Sequence, residues 1–199
     1  PIMEMKFNRG KVYKNKITNM AKVLSEIGTS KVDNSPIIIG VAEIENKSVL
    51  EDLVLSPHLR DKKYGIIHFD SPDKRGIDVA LLYQKKYFNP IYHEAFHPKI
   101  YKENRRIFTR DQLLVSGYLD GELIHLIVNH WPSRRGGEAA SRPYREKAAY
   151  QNTQIIEKIR AQDANAKILI MGDFNDDPTN SSIKKVLQAK GKKSEINKE

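Results

Sequence analysis

Short, strongly apolar runs alternate with stretches of helical periodicity along this chain, and this alternation limits the possible folds more than any other feature. The two longest runs, 36–42 and 168–172, have the length of buried strands. Neither approaches the roughly 18 apolar residues that a membrane-spanning helix needs. The pattern predicts a single α/β domain over residues 1–199, with more strands than helices.

The remaining elements follow from periodicity and from turn residues. Asp120-Gly121 is a two-residue turn of the type I′ kind, which predicts a hairpin between strands at 112–119 and 122–129. Further strands are predicted at 36–41, 64–69, 77–83 and 167–171, and helices at 11–27, 48–55, 143–161 and 181–189.

Composition excludes some kinds of site and favours others. The chain has no cysteine, which rules out a disulfide scaffold, a Cys-ligated zinc site and a thiol nucleophile. Its formal net charge of +9 favours polyanionic partners, although a well-solvated basic surface gives the same charge. Part of the excess lies near the C-terminus, where 190–199 is expected to be a frayed basic tail. No signal-peptide pattern follows Pro1, and the sequence leaves localisation open.

Polar side chains gather where three of the predicted strands end. Strand ends in α/β folds present side chains into a common crevice, so three such placements predict one site. The members are Glu43 and Glu45, then Asn129 and His130, and finally Asp173, Asn175, Asp176 and Asp177.

These residue types suit a hard, oxygen-preferring cation such as Mg²⁺ or Mn²⁺. Arg134 and Arg135, in the loop after His130, would supply positive charge for phosphate oxygens. Together they indicate phosphoester hydrolysis. Each feature alone also has a structural explanation, for example a solvated carboxylate at Glu43 or an Asx-rich turn that begins at Asp173.

Four segments resemble, in order, the signature motifs of the endonuclease/exonuclease/phosphatase superfamily, the deoxyribonuclease I-like enzymes. They are 38–46, 75–83, 128–134 and the Gly-Asp-Phe-Asn motif within 171–178. The resemblance implies a four-layer fold, in which two mixed β-sheets pack face to face as a sandwich flanked by helices.

The resemblance also implies roles for individual residues. Glu43 would hold Mg²⁺, with Mn²⁺ or Ca²⁺ as alternatives. Asp173 would activate the attacking water, Asn175 would fix the phosphate or that carboxylate, and His130 would stabilise the transition state. Asp70 is expected to support His130.

Further residues would contact the substrate, namely Arg110, Asn129, Arg134 and Arg135. The family's opening asparagine strand and its closing Ser-Asp-His strand have no counterpart in this sequence. The expectation is therefore a domain truncated at both ends. A positioned general base contributes about 10²–10⁴-fold to the rate, so low activity is expected of the chain.

The predicted function is Mg²⁺-dependent phosphoester hydrolysis by a monomer. The net charge and the basic loop favour a nuclease acting on DNA or RNA. The alternative is a phosphatase or phosphodiesterase on small-molecule or lipid phosphoesters, of the inositol phosphate or sphingomyelin type, because the same chemistry serves both. A third interpretation is a binding module that kept the fold without catalysis.

Overall fold

The computed structural model describes residues 2–190, with side chains from residue 9 onward. Apart from Lys190, the predicted basic tail lies outside these residues. The helices are α1 (Ile2–Glu26), α2 (Lys47–Val54) and α3 (Glu138–Arg160). The strands are β1 (Ile38–Ile44), β2 (Tyr64–His68), β3 (Asp78–Gln84), β4 (Phe88–Phe96), β5 (Ile100–Lys102), β6 (Arg105–Ile107), β7 (Gln112–Leu119), β8 (Glu122–His130) and β9 (Lys167–Asp173).

The strands form two main sheets and one small hairpin. The first sheet has three antiparallel strands in the order β1-β3-β2. The second has four strands in the order β4-β7-β8-β9, and it is mixed because β8 and β9 run parallel. β5 and β6 pair only with each other in the described part of the chain.

The two main sheets pack face to face, and helices cover their outer sides. Leu81 of β3 and Leu126 of β8 belong to the shared core between the sheets. Leu82, one residue further along, points the other way and packs with α1 and α2. Ile155 of α3 packs on the outer face of the second sheet. The four layers of the deoxyribonuclease I-like fold are therefore present, as the resemblance implied.

Most predicted elements are confirmed, and the hairpin turn is confirmed in detail. Asp120 and Gly121 have φ values of 49° and 87°, both positive as a type I′ turn requires. The last predicted helix is only a short π-helical segment, Ser182–Val186. α3 begins before Pro143, where the predicted helix began, so this proline lies in the second turn of the helix.

β4 was not predicted, and Pro90 explains why. A proline within an apolar run argues against a central strand, since it cannot donate a hydrogen bond to a neighbour. In the described part of the chain β4 pairs with β7 alone, and its register shifts between Pro90 and Tyr92. A sheet edge with a bulge is where a strand tolerates proline.

No helix in the described part of the chain is long and apolar enough to cross a membrane.

Candidate active site

The parallel pairing of β8 and β9 brings two candidate catalytic side chains to one edge of the second sheet. His130 and Asp173 are register partners, and His130 Nε2 lies 3.9 Å from Asp173 Oδ2. Gly172 makes this approach possible. It has a φ of 127°, and a Cβ atom there would lie 2.0 Å from the Asn129 carbonyl oxygen. The glycine of the Gly-Asp-Phe-Asn motif is therefore a steric requirement.

Glu43 reaches the same region from the first sheet. It occupies a β-bulge between Ala42 and Ile44, and its φ of 58° lies in the left-handed region. Such strained backbone is frequent at functional sites, where it redirects a side chain. The exposed Glu43 carboxylate is close enough to act electrostatically on His130.

The environment of His130 favours a neutral imidazole. Burial lowers its pKa, and the positive charge of Arg110 lowers it further. The carboxylates of Asp173 and Glu43 oppose these effects without reversing them. The structure thus brings Glu43, His130, Asp173 and Arg110 to one place.

The expectation that Asp70 supports His130 needs correction. The Asp70 side chain is 93% exposed, and its Oδ1 lies 4.0 Å from His68 Nδ1. His130 Nδ1 is buried and has no hydrogen-bond partner among the described residues. Asp70 follows the end of β2 and turns to solvent, which explains the difference.

A second cluster of polar side chains lies at the end of the first sheet, and two of its members, His68 and Asp78, were missed from sequence. Asp78 Oδ2 lies 2.9 Å from His68 Nε2, and the backbone N–H of Ser71 donates to Asp78 Oδ1. Ligand atoms of His68, Asp70 and Asp78 all lie within 4.8 Å of one another, close enough to hold a metal ion. Asp78 pairs with Ile44 in the sheet, so the cluster lies at the same sheet end as Glu43.

Arg110 is buried and held in place by other residues. Its guanidinium lies 3.1 Å from Asp73 Oδ2 and also donates to the Trp131 carbonyl oxygen. Burial would raise the pKa of the Asp73 carboxyl, but hydrogen bonds from the Arg75 backbone and from Arg110 lower it. Arg110 therefore presents a fixed positive charge beside His130 and Asp173.

Asn129, predicted to contact substrate, is structural instead. It is fully buried, and its Oδ1 accepts hydrogen bonds from Trp131 Nε1 at 3.0 Å and Asn152 Nδ2 at 2.8 Å. Side chains alternate along β8, so Asn129 points toward α3, away from the face that carries His130. The Asn129 amide therefore anchors Trp131.

Asn175 lies in the loop after β9 with a φ of 51°. Its backbone N–H donates to Asp173 Oδ1 at 2.9 Å, and its side-chain amide donates to the Trp131 carbonyl oxygen at 3.0 Å. The Trp131 ring packs edge-on against Phe174, with centroids 4.8 Å apart. Trp131 thus links the end of β8, which carries His130, to the loop after β9.

The two loop arginines have different environments. Arg134 Nε donates to the Asn175 carbonyl oxygen at 2.9 Å, and its NH2 group lies 3.2 Å from Asp177 and 3.3 Å from Asp176. Its charge therefore fixes the loop after β9, and the expectation that it also binds phosphate stays a prediction. Arg135 is exposed and makes no ion pair among the described side chains.

Because of this difference, alanine substitutions of the two arginines should affect different properties, substrate binding for Arg135 and stability for Arg134. Arg135→Ala should raise KM for a phosphoester substrate about threefold to tenfold and leave the melting temperature unchanged, because only an exposed charge is lost. Arg134→Ala should lower the melting temperature by several degrees, since Asp176 and Asp177 lose a partner. Steady-state kinetics and thermal unfolding of both variants test this, and a lowered melting temperature for Arg135→Ala alone would contradict it.

Comparison with known proteins gives a family and a set of related folds. The family model described as "Endonuclease/Exonuclease/phosphatase family" matches residues 1–199. No curated protein sequence matches significantly.

Among solved structures, truncated Caenorhabditis elegans TDP2 is 20% identical with a TM-score of 0.57, and the match covers 82% of this chain and 58% of that one. D. rerio TDP2 complexed with single strand DNA product is 16% identical with a TM-score of 0.53, covering 76% and 52%. The Bacteroides thetaiotaomicron VPI-5482 mannosyl-6-phosphatase Bt3783 is 17% identical with a TM-score of 0.61, covering 92% and 65%.

Each match covers less than two thirds of the solved chain. At these identities the likeness shows a shared fold, while the family model, which matches the whole chain, shows the family. By that match, this chain belongs to the endonuclease/exonuclease/phosphatase family.

Proposed function

We propose that this protein is a Mg²⁺-dependent phosphoester hydrolase and that its substrate is nucleic acid. The observation that supports this most strongly is the meeting of His130, Asp173 and Glu43 at the ends of three strands from two sheets. A core has no need for these groups at that point, whereas phosphoester hydrolysis needs a cation ligand, a base and a fixed positive charge.

The residues present fit a hard divalent cation. Glu43 makes no ion pair among the described side chains, and the Asp173 side chain is 56% exposed. Exposed carboxylates beside open solvent suit Mg²⁺, which keeps several waters and takes one or two protein carboxylates. Mn²⁺ and Ca²⁺ prefer oxygen ligands too. Glu43 would hold the cation, which when bound would withdraw charge from the phosphate oxygens.

The remaining side chains can act on water and phosphate. Asp173 Oδ1 accepts the Asn175 N–H, which leaves Oδ2 to accept a proton from an attacking water. A neutral His130 can donate Nε2–H to a phosphate oxygen. Arg110, held by Asp73, can stabilise the added negative charge without reorganising, because its position is already fixed.

The charge of the molecule favours nucleic acid as substrate. The net charge of +9 and the exposed Arg135, in the loop after His130, attract a polyanion. A relative by fold, D. rerio TDP2, was solved with single strand DNA product. A small phosphorylated substrate is the second candidate, supported by the likeness to a mannosyl-6-phosphatase.

Substrate profiling tests the proposal. Plasmid DNA, RNA, inositol phosphates, mannose 6-phosphate and a generic phosphodiester are compared with Mg²⁺ and with EDTA. We expect Mg²⁺-dependent cleavage of nucleic acid, weakened steeply by salt. Turnover of small phosphates alone would contradict nucleic acid as the substrate. Undiminished activity in EDTA would contradict the dependence on Mg²⁺.

Glu43→Gln tests the cation ligand separately. The substitution removes one negative oxygen, and the Mg²⁺ concentration for half-maximal rate should rise at least about tenfold. Glu45→Gln is the matched control, because Glu45 is an exposed glutamate two residues further along. An equal rise in both variants would refute the role of Glu43.

A further inference from the structure

A cavity lies on the outer side of the four-stranded sheet, beside α3. It has a volume of about 810 Å³ and is bounded by the end of β4, the β5–β6 hairpin and α3. We call it the α3 cavity. Positively charged and aromatic side chains line much of it, and none of them has a role in the proposed chemistry.

The charge of the α3 cavity is strongly positive. Its lining includes Lys99, Arg106, Lys147 and Lys158 but only one acidic residue, Glu94. Glu94 lies 3.7 Å from the Lys158 ammonium, and none of the other cations has a carboxylate within 4.0 Å among the described side chains. Three unpaired cations around one concave surface favour a ligand with negative charge.

Aromatic rings accompany these cations. Tyr150 on α3 is 54% exposed, which leaves its ring accessible to a ligand. Phe96 lies in the wall, with the Lys158 ammonium 5.6 Å from its ring centroid. A positively charged groove with an accessible ring is the combination by which proteins hold single-stranded nucleic acid, phosphates on the cations and a base on the ring.

The α3 cavity is also connected to the candidate active site. His97, in its wall, lies with Nδ1 2.6 Å from Asp111 Oδ1, and Asp111 is buried directly after Arg110. Phe96 pairs with Gln112, so this end of β4 lies beside the start of β7. A chain-like substrate at the active site would have a second contact surface at the same end of the sheet.

We propose that the α3 cavity binds one nucleotide of a single-stranded nucleic acid, with its phosphate on Lys99, Arg106 and Lys147 and its base on Tyr150. This inference rests on the proposed function, because it gives the same substrate a second point of attachment. The cavity raises affinity for a strand and takes no part in the bond that is broken. Short substrates that end at the active site do not reach it.

Binding of a fluorescent oligothymidylate of about 12 nucleotides, followed by anisotropy, tests the inference. The measurement uses the full chain carrying Asp173→Asn, in EDTA, so that no cleavage occurs. Lys99→Ala/Lys147→Ala should raise Kd at least about tenfold and lower the salt slope by about two. Tyr150→Ala should raise Kd about fivefold or more, and Tyr150→Phe should retain the original Kd, since the ring remains.

Lys22→Ala/Lys31→Ala is the matched control, because it removes two exposed lysines elsewhere. An equal loss of affinity in this control, or unchanged Kd in the cavity variants, would overturn the inference. Competition by thymidine monophosphate as effective as by the strand would show a free-nucleotide pocket instead. Preferential competition by a polyglutamate peptide would also overturn it.

Hydrolysis of bis(4-nitrophenyl) phosphate separates this inference from the proposed function. In the otherwise unchanged enzyme, the cavity variants should hydrolyse this small diester at the original rate. Lost oligonucleotide affinity in a protein that cleaves no nucleic acid would support the cavity and refute the nuclease. If the cavity variants cleave and bind nucleic acid as well as the original protein, the nuclease proposal is supported and the role of the cavity is refuted.

Discussion

Asp173→Asn is expected to lower the rate of phosphoester hydrolysis at least about 100-fold. The substitution removes the basic oxygen that lies 3.9 Å from His130 Nε2, whereas the asparagine Oδ1 can still accept the Asn175 N–H. The fold should therefore survive, and the melting temperature should stay within about 2 °C. Initial rates on the best substrate, together with thermal unfolding, measure both effects.

Asp177→Asn is the control from the same loop. Its carboxylate is exposed and lies 3.2 Å from Arg134, so its loss changes the charge of the loop but not the groups beside His130. The rate should fall by less than about threefold. Full activity of Asp173→Asn, or an equal loss in both variants, would show that the base has been assigned to the wrong residue.

Arg145→Met is expected to lower the free energy of unfolding by about 3–5 kcal/mol. Arg145 and Asp176 are both fully buried, and Arg145 Nε lies 2.7 Å from Asp176 Oδ1. Methionine fills much of the space but leaves Asp176 buried with a weaker set of partners, Arg134 and Ser182. Urea unfolding followed by circular dichroism gives the free energy.

Arg142→Met is the matched control, because it makes the same substitution three positions earlier on the same helix. Arg142 is half-exposed and pairs with Glu138 one turn earlier on the same helix, so its loss should leave the free energy of unfolding nearly unchanged. Adding Asp176→Leu to Arg145→Met should restore part of the lost stability, because no buried charge then remains. A loss below about 1 kcal/mol for Arg145→Met would mean that the buried pair does not hold the loop.

The positions of the candidate catalytic residues could be predicted because they depend on local patterns. Glu43, His130 and Asp173 each follow an apolar strand, and strand ends in such folds share one crevice. The Gly172-Asp173 pair adds a steric reason, since no side chain fits where Gly172 meets Asn129. Periodicity was sufficient to place these residues at strand ends, whereas their roles came from the family resemblance and the steric role of Gly172 from the structure.

The partners of these residues could not be predicted, because they come from distant parts of the chain. Arg110 pairs with Asp73, 37 positions away, and Arg145 pairs with Asp176 across two elements. No local pattern encodes such pairs. The burial of Asn129 did have a usable signal, because it alternates with Val128 and His130 and must face the opposite side of β8.

Diffraction from crystals of this protein soaked in Mn²⁺ is the most direct test of the shared cation site. The anomalous signal should place one ion about 2.0–2.2 Å from a Glu43 carboxylate oxygen, on the side that faces Asp173 and His130. An ion held by His68, Asp70 and Asp78, with none at Glu43, would contradict the account.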